Sequence, residues 1–229
     1  MKVLLFGSTG MVGQGALREC LLDPDVQLVE AIGRTPTGVQ NSKLREIVRQ
    51  DLFDYAPIEG QLSGFDACFF CLGVTSSGMP ESDYYRVTCQ LTLAAAGTLV
   101  RLNPQMTFVF VSGAGTDSSE RGRSMWARVK GKTENALLRL PFKAAYMFRP
   151  GFIQPLHGIR SKTPLYRHFY TITKPILPLL RSLLPNQILT TEELGRAMLI
   201  AAKRGAPKSV LETRDIRALI VSQTSPQDA

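Results

Sequence analysis

The sequence is poor in the residues that build metal centres and disulfide frameworks. It has two histidines and four cysteines in 229 residues, which gives a metal site few ligands. Cys68 and Cys71 have the short spacing of a redox or metal motif, but they lie in an apolar run that predicts a buried strand. Residues three apart on a strand point to opposite faces. We therefore predict core packing for both thiols and no bound metal.

Long apolar runs are also missing. The most apolar stretch outside the predicted strands, residues 174–185, is far shorter than the roughly 20 residues that span a bilayer, and Arg181 and three prolines interrupt it. We interpret it as a lid over an apolar or aromatic substrate, or as the interface of a homodimer. Its basic flanks leave a peripheral membrane contact as the less favoured alternative.

No secretory signal pattern precedes the first predicted strand, which favours a cytoplasmic location with reduced thiols. Lysine and arginine outnumber aspartate and glutamate by 27 to 19, yet no basic run is longer than two residues. That dispersal argues against a nucleic-acid partner. A small-molecule substrate is the partner that we expect.

Strand and helix patterns alternate along the chain. Strands are predicted at residues 3–6, 27–32, 46–49, 67–72, 107–111, 144–148 and 209–212, and helices at 11–22, 80–101, 124–140, 192–203 and 214–221. This order predicts an α/β fold with a Rossmann-type doubly wound parallel sheet and a small C-terminal substrate-side lobe. We expect one domain over residues 1–221, with a dinucleotide-binding core at 1–151, the lobe at 152–221 and a loose tail at 222–229.

A glycine motif follows the first predicted strand and opens the first helix. In that context Gly7 permits a tight turn, Gly10 lets the backbone approach a pyrophosphate, and Gly13 lets helix and strand pack closely. The helix N-terminus offers free N–H groups to phosphate. The predicted phosphate-binding residues are Gly7, Ser8, Thr9, Gly10, Met11, Val12 and Gly13.

The end of the second predicted strand indicates which dinucleotide binds. NAD-binding proteins place an acidic residue there for the ribose hydroxyls, whereas this chain has Arg34, and Glu30 lies earlier, inside the strand. A guanidinium matches a 2′-phosphate in a bidentate pair. We therefore expect NADP, with NAD the less favoured cofactor.

The glycine spacing, Asp51-Leu52, Ser112 and Lys130 together resemble the short-chain dehydrogenase/reductase superfamily. The similarity is greatest to its atypical and extended branch, with the NAD(P)-dependent epimerase/dehydratase-like and Tat-interacting-protein-like proteins, and it runs from Lys2 to about Leu219. The resemblance implies further cofactor contacts. Asp51 and Leu52 would border the adenine; Cys71, Leu72 and Gly73 would pass under the ribose; Pro150, Gly151 and Phe152 would hold the carboxamide.

Catalysis in that superfamily uses a serine together with a tyrosine and a lysine spaced Tyr-x-x-x-Lys on a helix. The resemblance places Ser112 and Lys130 in the active site, with Lys130 also holding the nicotinamide ribose, and puts Trp126 at the tyrosine position. An indole N–H donates one hydrogen bond but does not titrate usefully. Trp126 therefore cannot serve as the general acid.

Three interpretations of the missing tyrosine remain open. Another group supplies the proton, with Tyr84, Tyr85 and His157 as candidates; or the enzyme reduces a quinone or conjugated carbonyl that needs little acid; or the protein is a redox sensor that binds NADP(H) without turnover and acts on a protein partner. We favour an oxidoreductase that transfers hydride to an apolar or aromatic carbonyl or quinone.

Overall fold

The computed structural model describes residues 1–159 and 187–222, and these form nine strands. The strands are β1 (Lys2–Phe6), β2 (Leu28–Gly33), β3 (Leu44–Val48), β4 (Ala67–Phe70), β5 (Thr107–Val111), β6 (Ala144–Arg149), β7 (Phe152–Gln154), β8 (Ile188–Thr190) and β9 (Val210–Glu212). Seven of them form one sheet in the order β3-β2-β1-β4-β5-β6-β9, and every pair in it is parallel. A short parallel pair, β7 and β8, lies apart from that sheet.

Helices cover both faces of the sheet. They are α1 (Met11–Leu22), α2 (Glu81–Tyr85), a π-helical segment (Arg86–Gln90), α3 (Leu91–Leu102), α4 (Met125–Leu138), α5 (Thr191–Arg204) and α6 (Thr213–Val221), with a 3-10 helix at Ala56–Gln61. Buried residues of α1, α5 and α6 share one core cluster, and those of the 3-10 helix, α3 and α4 share a second. The predicted doubly wound α/β fold is therefore confirmed.

Side chains of each strand alternate between these two cores. In β1, Val3 and Leu5 face the first cluster, while Leu4 and Phe6 face the second. The same alternation separates the two cysteines of the Cys68-x-x-Cys71 spacing. Cys68 is buried in the second cluster, and Cys71, just past the end of β4, packs against the first. The two thiols therefore lie on opposite faces of the sheet, as predicted, with Cys68 buried and Cys71 half-buried.

Boundaries differ from the predictions where the pattern is weak. β3 begins at Leu44 rather than residue 46, and β4 ends at Phe70 rather than residue 72. The predicted helix at 80–101 is interrupted by the π-helical turn. β7 and β8 were not predicted, because three residues are too few to show a period.

Several predictions fall outside the described residues. The apolar stretch at 174–185 and its basic flanks lie in residues 160–186, so the lid, homodimer and membrane interpretations concern residues that the structure does not describe. Residues 223–229 of the predicted tail are likewise not described. Within residues 1–159 and 187–222, no helix is long and apolar enough to cross a membrane. The same residues contain no cluster of three or more His, Cys, Asp or Glu that could hold a metal ion.

Helices α1 and α5 approach closely because two glycines face each other across their contact. A Cβ at Gly15 would lie 2.6 Å from the carbonyl oxygen of Thr191, and a Cβ at Gly195 would lie 3.0 Å from the carbonyl oxygen of Gly15. Such distances leave no room for a methyl group. The contact joins the first helix of the chain to a segment about 180 residues later.

We predict that Gly15→Ala destabilises the protein, because the added methyl group must push α5 away from α1. The expected loss is about 1–3 kcal/mol, the usual cost of overpacking, measured as the free energy of unfolding in urea. The matched control is Gly97→Ala in α3, where the site is exposed and nothing lies within 4 Å of the added Cβ.

The free energy of unfolding of the control variant Gly97→Ala should rise by about 0.5–1 kcal/mol, because alanine has a higher helix propensity than glycine. If the two variants changed stability in the same direction and by the same amount, the close α1–α5 contact would not limit residue size.

Candidate functional site

Two positions of the glycine turn between β1 and α1 are too crowded for any residue other than glycine. Gly7 has a φ of 78°, and a Cβ there would lie 2.7 Å from the carbonyl carbon of Cys71. A Cβ at Gly13 would lie 2.0 Å from the carbonyl oxygen of Gly7. The turn therefore rests against the end of β4 on one side and against α1 on the other.

Gly10 is less crowded than these two positions. A Cβ there would meet only the Gly7 carbonyl oxygen, at 3.3 Å. Gly10 is the N-cap of α1, and no side chain of the described residues caps this helix end. A helix N-terminus without a side-chain cap is suited to an anionic group. The predicted phosphate-binding residues Ser8, Thr9, Met11 and Val12 flank it.

Arg34 follows the end of β2 and is exposed. Its carbonyl oxygen accepts a hydrogen bond from Gln50 Nε2 at 3.2 Å, and within residues 1–159 and 187–222 its guanidinium forms no ion pair. Glu30 is 7% exposed inside β2, and its burial raises the pKa of its carboxyl group, an effect that Arg45 partly offsets. A basic group, not an acidic one, therefore follows the strand end.

The predicted adenine and ribose contacts lie along the same edge. Asp51 Oδ1 accepts a hydrogen bond from the Phe53 N–H at 2.8 Å, and the Leu52 side chain is buried in the core. The Cys71 N–H donates to the Phe6 carbonyl at 3.0 Å. Leu72 is half-buried and Gly73 is exposed. These residues follow β3 and β4, next to the glycine turn.

Ser112 and Lys130 are in direct contact. Ser112 follows β5 and is 6% exposed, and its N–H donates to the Phe148 carbonyl at 2.9 Å. Lys130, on α4, donates from Nζ to the Ser112 carbonyl oxygen. Burial lowers the pKa of the Lys130 ammonium to about 8, and the nearby Glu134 carboxylate limits the fall. The structure thus brings together the two predicted catalytic residues that match the family pattern.

Trp126 lies one helical turn before Lys130 on the same helix and is half-buried. Its ring carbons Cη2 and Cζ2 lie 3.5 and 3.8 Å from the place where a Cβ at Gly115 would stand. The indole therefore packs against the loop that follows β5. It contributes a flat apolar surface, with no group that titrates near neutral pH.

The carboxylate of Glu134 is the functional group that our sequence analysis missed. It is 0% exposed, and it accepts hydrogen bonds from the Ser112 hydroxyl and from Arg149. Arg149 Nε lies 3.1 Å from each carboxylate oxygen. The pair raises the pKa of Arg149, since the carboxylate favours its charged form. One signal was available, because Trp126, Lys130 and Glu134 are spaced four apart on a helix, and so share one face.

The three candidate replacements for the tyrosine have other partners. Tyr84 is buried in a cluster with Cys89 and Val129. The Tyr85 ring lies 5.0 Å from Lys132 Nζ, and His157 Nε2 lies 2.8 Å from Glu192 Oε2. Within residues 1–159 and 187–222, none of the three forms a hydrogen bond with Ser112 or Lys130.

The loop after β6 is fixed by hydrogen bonds to its neighbours. Pro150 accepts one from the Ala114 N–H at 2.9 Å, and the Gly151 N–H donates to Thr213 Oγ1 at 2.8 Å. The Phe152 N–H donates to the Gln187 carbonyl at 3.1 Å. The predicted carboxamide contacts therefore lie on a well-tied segment beside the loop of Ser112.

A cavity of about 600 Å³ adjoins the glycine turn. Its polar end includes Ser8, Thr9, Gln14 and His157, and its apolar part runs along α1. A larger groove of about 990 Å³ lies near the amino-terminal ends of the strands, where Lys203 bridges Asp23 and Asp25. In parallel sheets ligands bind at the carboxyl ends of the strands. We therefore assign the candidate site to the edge that carries the glycine turn.

No protein-family model matches the chain. Among curated proteins, it is 30% identical over 164 residues to "Protein fmp52, mitochondrial" of Emericella nidulans, with 66% of each chain covered. It is 27% identical to "Protein FMP52-2, mitochondrial" of Scheffersomyces stipitis, covering 91% of this chain and 90% of that protein. It is 29% identical to "Protein HTATIP2" of Rattus norvegicus, covering 65% of this chain and 62% of that protein. The chain thus spans just under two thirds of the Emericella and rat relatives.

The fungal names contradict our prediction of a cytoplasmic location, because both relatives are named as mitochondrial proteins. That prediction used the missing secretory pattern. Such a pattern marks export, so its absence does not separate the cytosol from an organelle.

Solved structures share the fold. The Bordetella bronchiseptica enzyme WbmF, solved in complex with NAD+, superposes with a TM-score of 0.66 at 15% identity and covers 100% of this chain and 79% of its own. MoeE5, solved with UDP-glucuronic acid and NAD, gives a TM-score of 0.68 at 20% identity and covers 93% of this chain and 76% of its own. With the parallel sheet and the glycine turn taken together, the chain has the Rossmann-type α/β fold of these NAD-bound structures, and its sequence is similar to the FMP52 proteins and to HTATIP2.

Proposed function

We propose that the chain is an NADP(H)-dependent oxidoreductase that acts on an apolar or aromatic carbonyl or quinone. The observation that carries this proposal is the contact of Lys130 Nζ with Ser112 at the same sheet edge as the glycine turn. The complexes of WbmF and MoeE5 with NAD add support for a nicotinamide dinucleotide. The proposed partner is a small-molecule substrate.

The residues at this edge fit a dinucleotide. Gly10 has no side chain to keep a pyrophosphate away from its backbone, and the N–H groups at the start of α1 have no side-chain cap. Arg34 is free to pair with a 2′-phosphate. Lys130 would hold the nicotinamide ribose, as the resemblance implies. When bound, the reduced nicotinamide would supply the hydride.

The side chains near Lys130 determine which chemical groups would contact the substrate. Trp126 offers a flat apolar surface, which suits an aromatic or conjugated substrate. The Ser112 hydroxyl donates to Glu134, so it faces the protein interior. The substrate oxygen therefore needs a different hydrogen-bond donor.

A second candidate function is a redox sensor that binds NADP(H) without turnover. Two features support it: the resemblance puts Trp126 at the tyrosine position, and the Ser112 hydroxyl donates to the buried Glu134 carboxylate. Steady-state NADPH consumption with a panel of aldehydes, ketones and quinones distinguishes the two functions. Consumption above the uncatalysed rate supports the enzyme, and binding without consumption supports the sensor.

We predict that NADPH binds more tightly than NADH and that Arg34→Asp removes this preference. A charged hydrogen bond to the 2′-phosphate is worth roughly 1.5–3 kcal/mol, and Asp at this position would instead accept from ribose hydroxyls. Titration calorimetry with both cofactors measures the effect. The matched control is Arg139→Asp, since Arg139 is an exposed residue at the far end of α4. Equal affinity of the wild type for both cofactors would exclude the assignment to NADP.

We also predict that NADPH quenches the fluorescence of Trp126, the only tryptophan of the chain, and gains sensitised emission. Indole emission overlaps the absorption of reduced nicotinamide, whereas oxidised NADP lacks that band and should give no sensitised signal. Trp126→Tyr should abolish the signal but keep the NADPH affinity within about tenfold, or roughly 1.4 kcal/mol.

The reason is that the glycine turn and Arg34 are expected to provide most of the binding free energy. If NADPH binds by calorimetry while the Trp126 emission stays unchanged, the indole does not lie beside the nicotinamide, and the placement of the active site is wrong.

A further inference from the structure

The Ser112 hydroxyl has one proton to donate, and hydrogen-bond acceptors of the protein already take it. Oγ lies within hydrogen-bond distance of the Glu134 carboxylate and 3.2 Å from the Phe148 carbonyl. Both partners only accept, so the proton points into the protein. On the side of the candidate cofactor site, the Ser112 hydroxyl can only accept hydrogen bonds. It therefore cannot protonate a substrate oxygen in this arrangement.

Glu134 is also unsuited to supply the proton. It is 0% exposed and lies behind Ser112, where Arg149 pairs with both of its oxygens. Arg149 in turn contacts Ser118 Oγ at 2.6 Å and Glu212 Oε1 at 3.2 Å, which fixes its position. Both oxygens of this carboxylate are thus occupied as acceptors by groups of the protein. Its role is to hold Ser112.

Lys130 is the remaining protonated group in contact with Ser112. An ammonium has three N–H donors. One is used by the Ser112 carbonyl oxygen, and in the part of the chain that the structure describes Nζ has no other hydrogen-bond acceptor. Lys130 as a whole is half-buried, and its two other N–H donors are available for a ligand or a water molecule.

We propose that Lys130 Nζ gives its proton directly to the substrate oxygen, in the place of the missing tyrosine. This inference rests on the proposed oxidoreductase function. The carbonyl carbon accepts the hydride that reduced nicotinamide supplies, and the π electron pair moves to oxygen. That oxygen forms an O–H bond as an N–H bond of Lys130 breaks. The neutral amine then takes a proton from water, so the net reaction consumes one carbonyl, one NADPH and one proton.

The electrostatic surroundings are consistent with this role. The elements packed against α4 include α2, the π-helical segment, α3 and β6. The titratable or charged side chains on these elements and on the adjoining loop and strand include Tyr84, Cys89, Asp117, Glu134, Arg149 and Glu212. The Glu134 carboxylate favours the protonated form of Lys130, and burial outweighs it, so that the pKa of the amine is lowered. A general acid acts best when its pKa lies near the working pH.

The test is reduction of 4-nitrobenzaldehyde by NADPH, with Lys130→Arg as the variant. Arginine keeps the positive charge that holds the ribose but does not release a proton in this pH range. We expect kcat to fall by about 100-fold or more, while the NADPH Kd by calorimetry stays within tenfold. For the wild type, kcat should decline above about pH 8, as the protonated amine is lost.

The control is Lys132→Arg, the same substitution at an exposed position two residues later on α4. It should match the wild type in kcat, pH profile and Kd. Circular dichroism and thermal melting of both variants detect a folding defect.

A measurement without turnover keeps the inference testable if Lys130→Arg fails to fold. Competitive acetylation of the wild type at several pH values, read by mass spectrometry at Lys130, gives the pKa of this amine directly. We expect half-titration near pH 8, while Lys132 serves as the internal reference for an exposed lysine.

The outcomes separate the two proposals. Suppose that the wild type reduces the aldehyde. If the kcat of Lys130→Arg then lies within fivefold of the wild-type value, or if Lys130 titrates above pH 10, the proposed role of Lys130 is wrong while the oxidoreductase function stands. NADPH binding with no consumption by any acceptor overturns the oxidoreductase function, and this inference with it.

Discussion

The buried ion pair of Glu134 and Arg149 is the constraint on which the candidate site depends. A carboxylate removed from water costs several kcal/mol unless a charged partner and hydrogen bonds satisfy it. Arg149 provides the charge and Ser112 one of the hydrogen bonds, so the free energy of the pair depends on where β5, β6 and α4 lie. The positions of Ser112 and Lys130 follow from that arrangement, because Lys130 lies on the same helix as Glu134 and Ser112 donates to the Glu134 carboxylate.

The glycines impose the second constraint, which is steric. Gly7 and Gly13 have backbone atoms so close that a methyl group cannot enter, while a Cβ at Gly10 would have a single tight contact, at 3.3 Å. The turn therefore requires glycine most strictly at Gly7 and Gly13. Gly131, next to Lys130, is equally crowded, since a Cβ there would lie 1.8 Å from the Asp117 carbonyl oxygen. The loop after β5 therefore lies directly on α4, which helps to fix the height of Lys130 above the sheet.

The sequence predicted the features that depend on local pattern. The parallel strands follow from short apolar runs, and the β1–α1 turn follows from glycine spacing, because each signal lies within a few residues. The direct contact of Lys130 with Ser112 was anticipated only through resemblance to a family. The pairing of Glu134 with Arg149 was not found, since an ion pair between a helix and a strand leaves no periodic signal. Nor was the role of β9 as the edge strand, because pairing order depends on contacts between residues far apart in sequence.

The glycine contact between α1 and α5 also has a consequence for synthesis on the ribosome. The core on that side of the sheet includes Leu17 and Cys20 from α1, and Leu194 and Met198 from α5 cover it. A nascent chain that has completed β1 to β6 still lacks this cover, because the residues that provide it emerge about 40 or more positions later. Until then the apolar face of α1 is accessible to chaperones and to other nascent chains. Aggregation during translation should therefore depend on how quickly the last quarter of the chain leaves the exit tunnel.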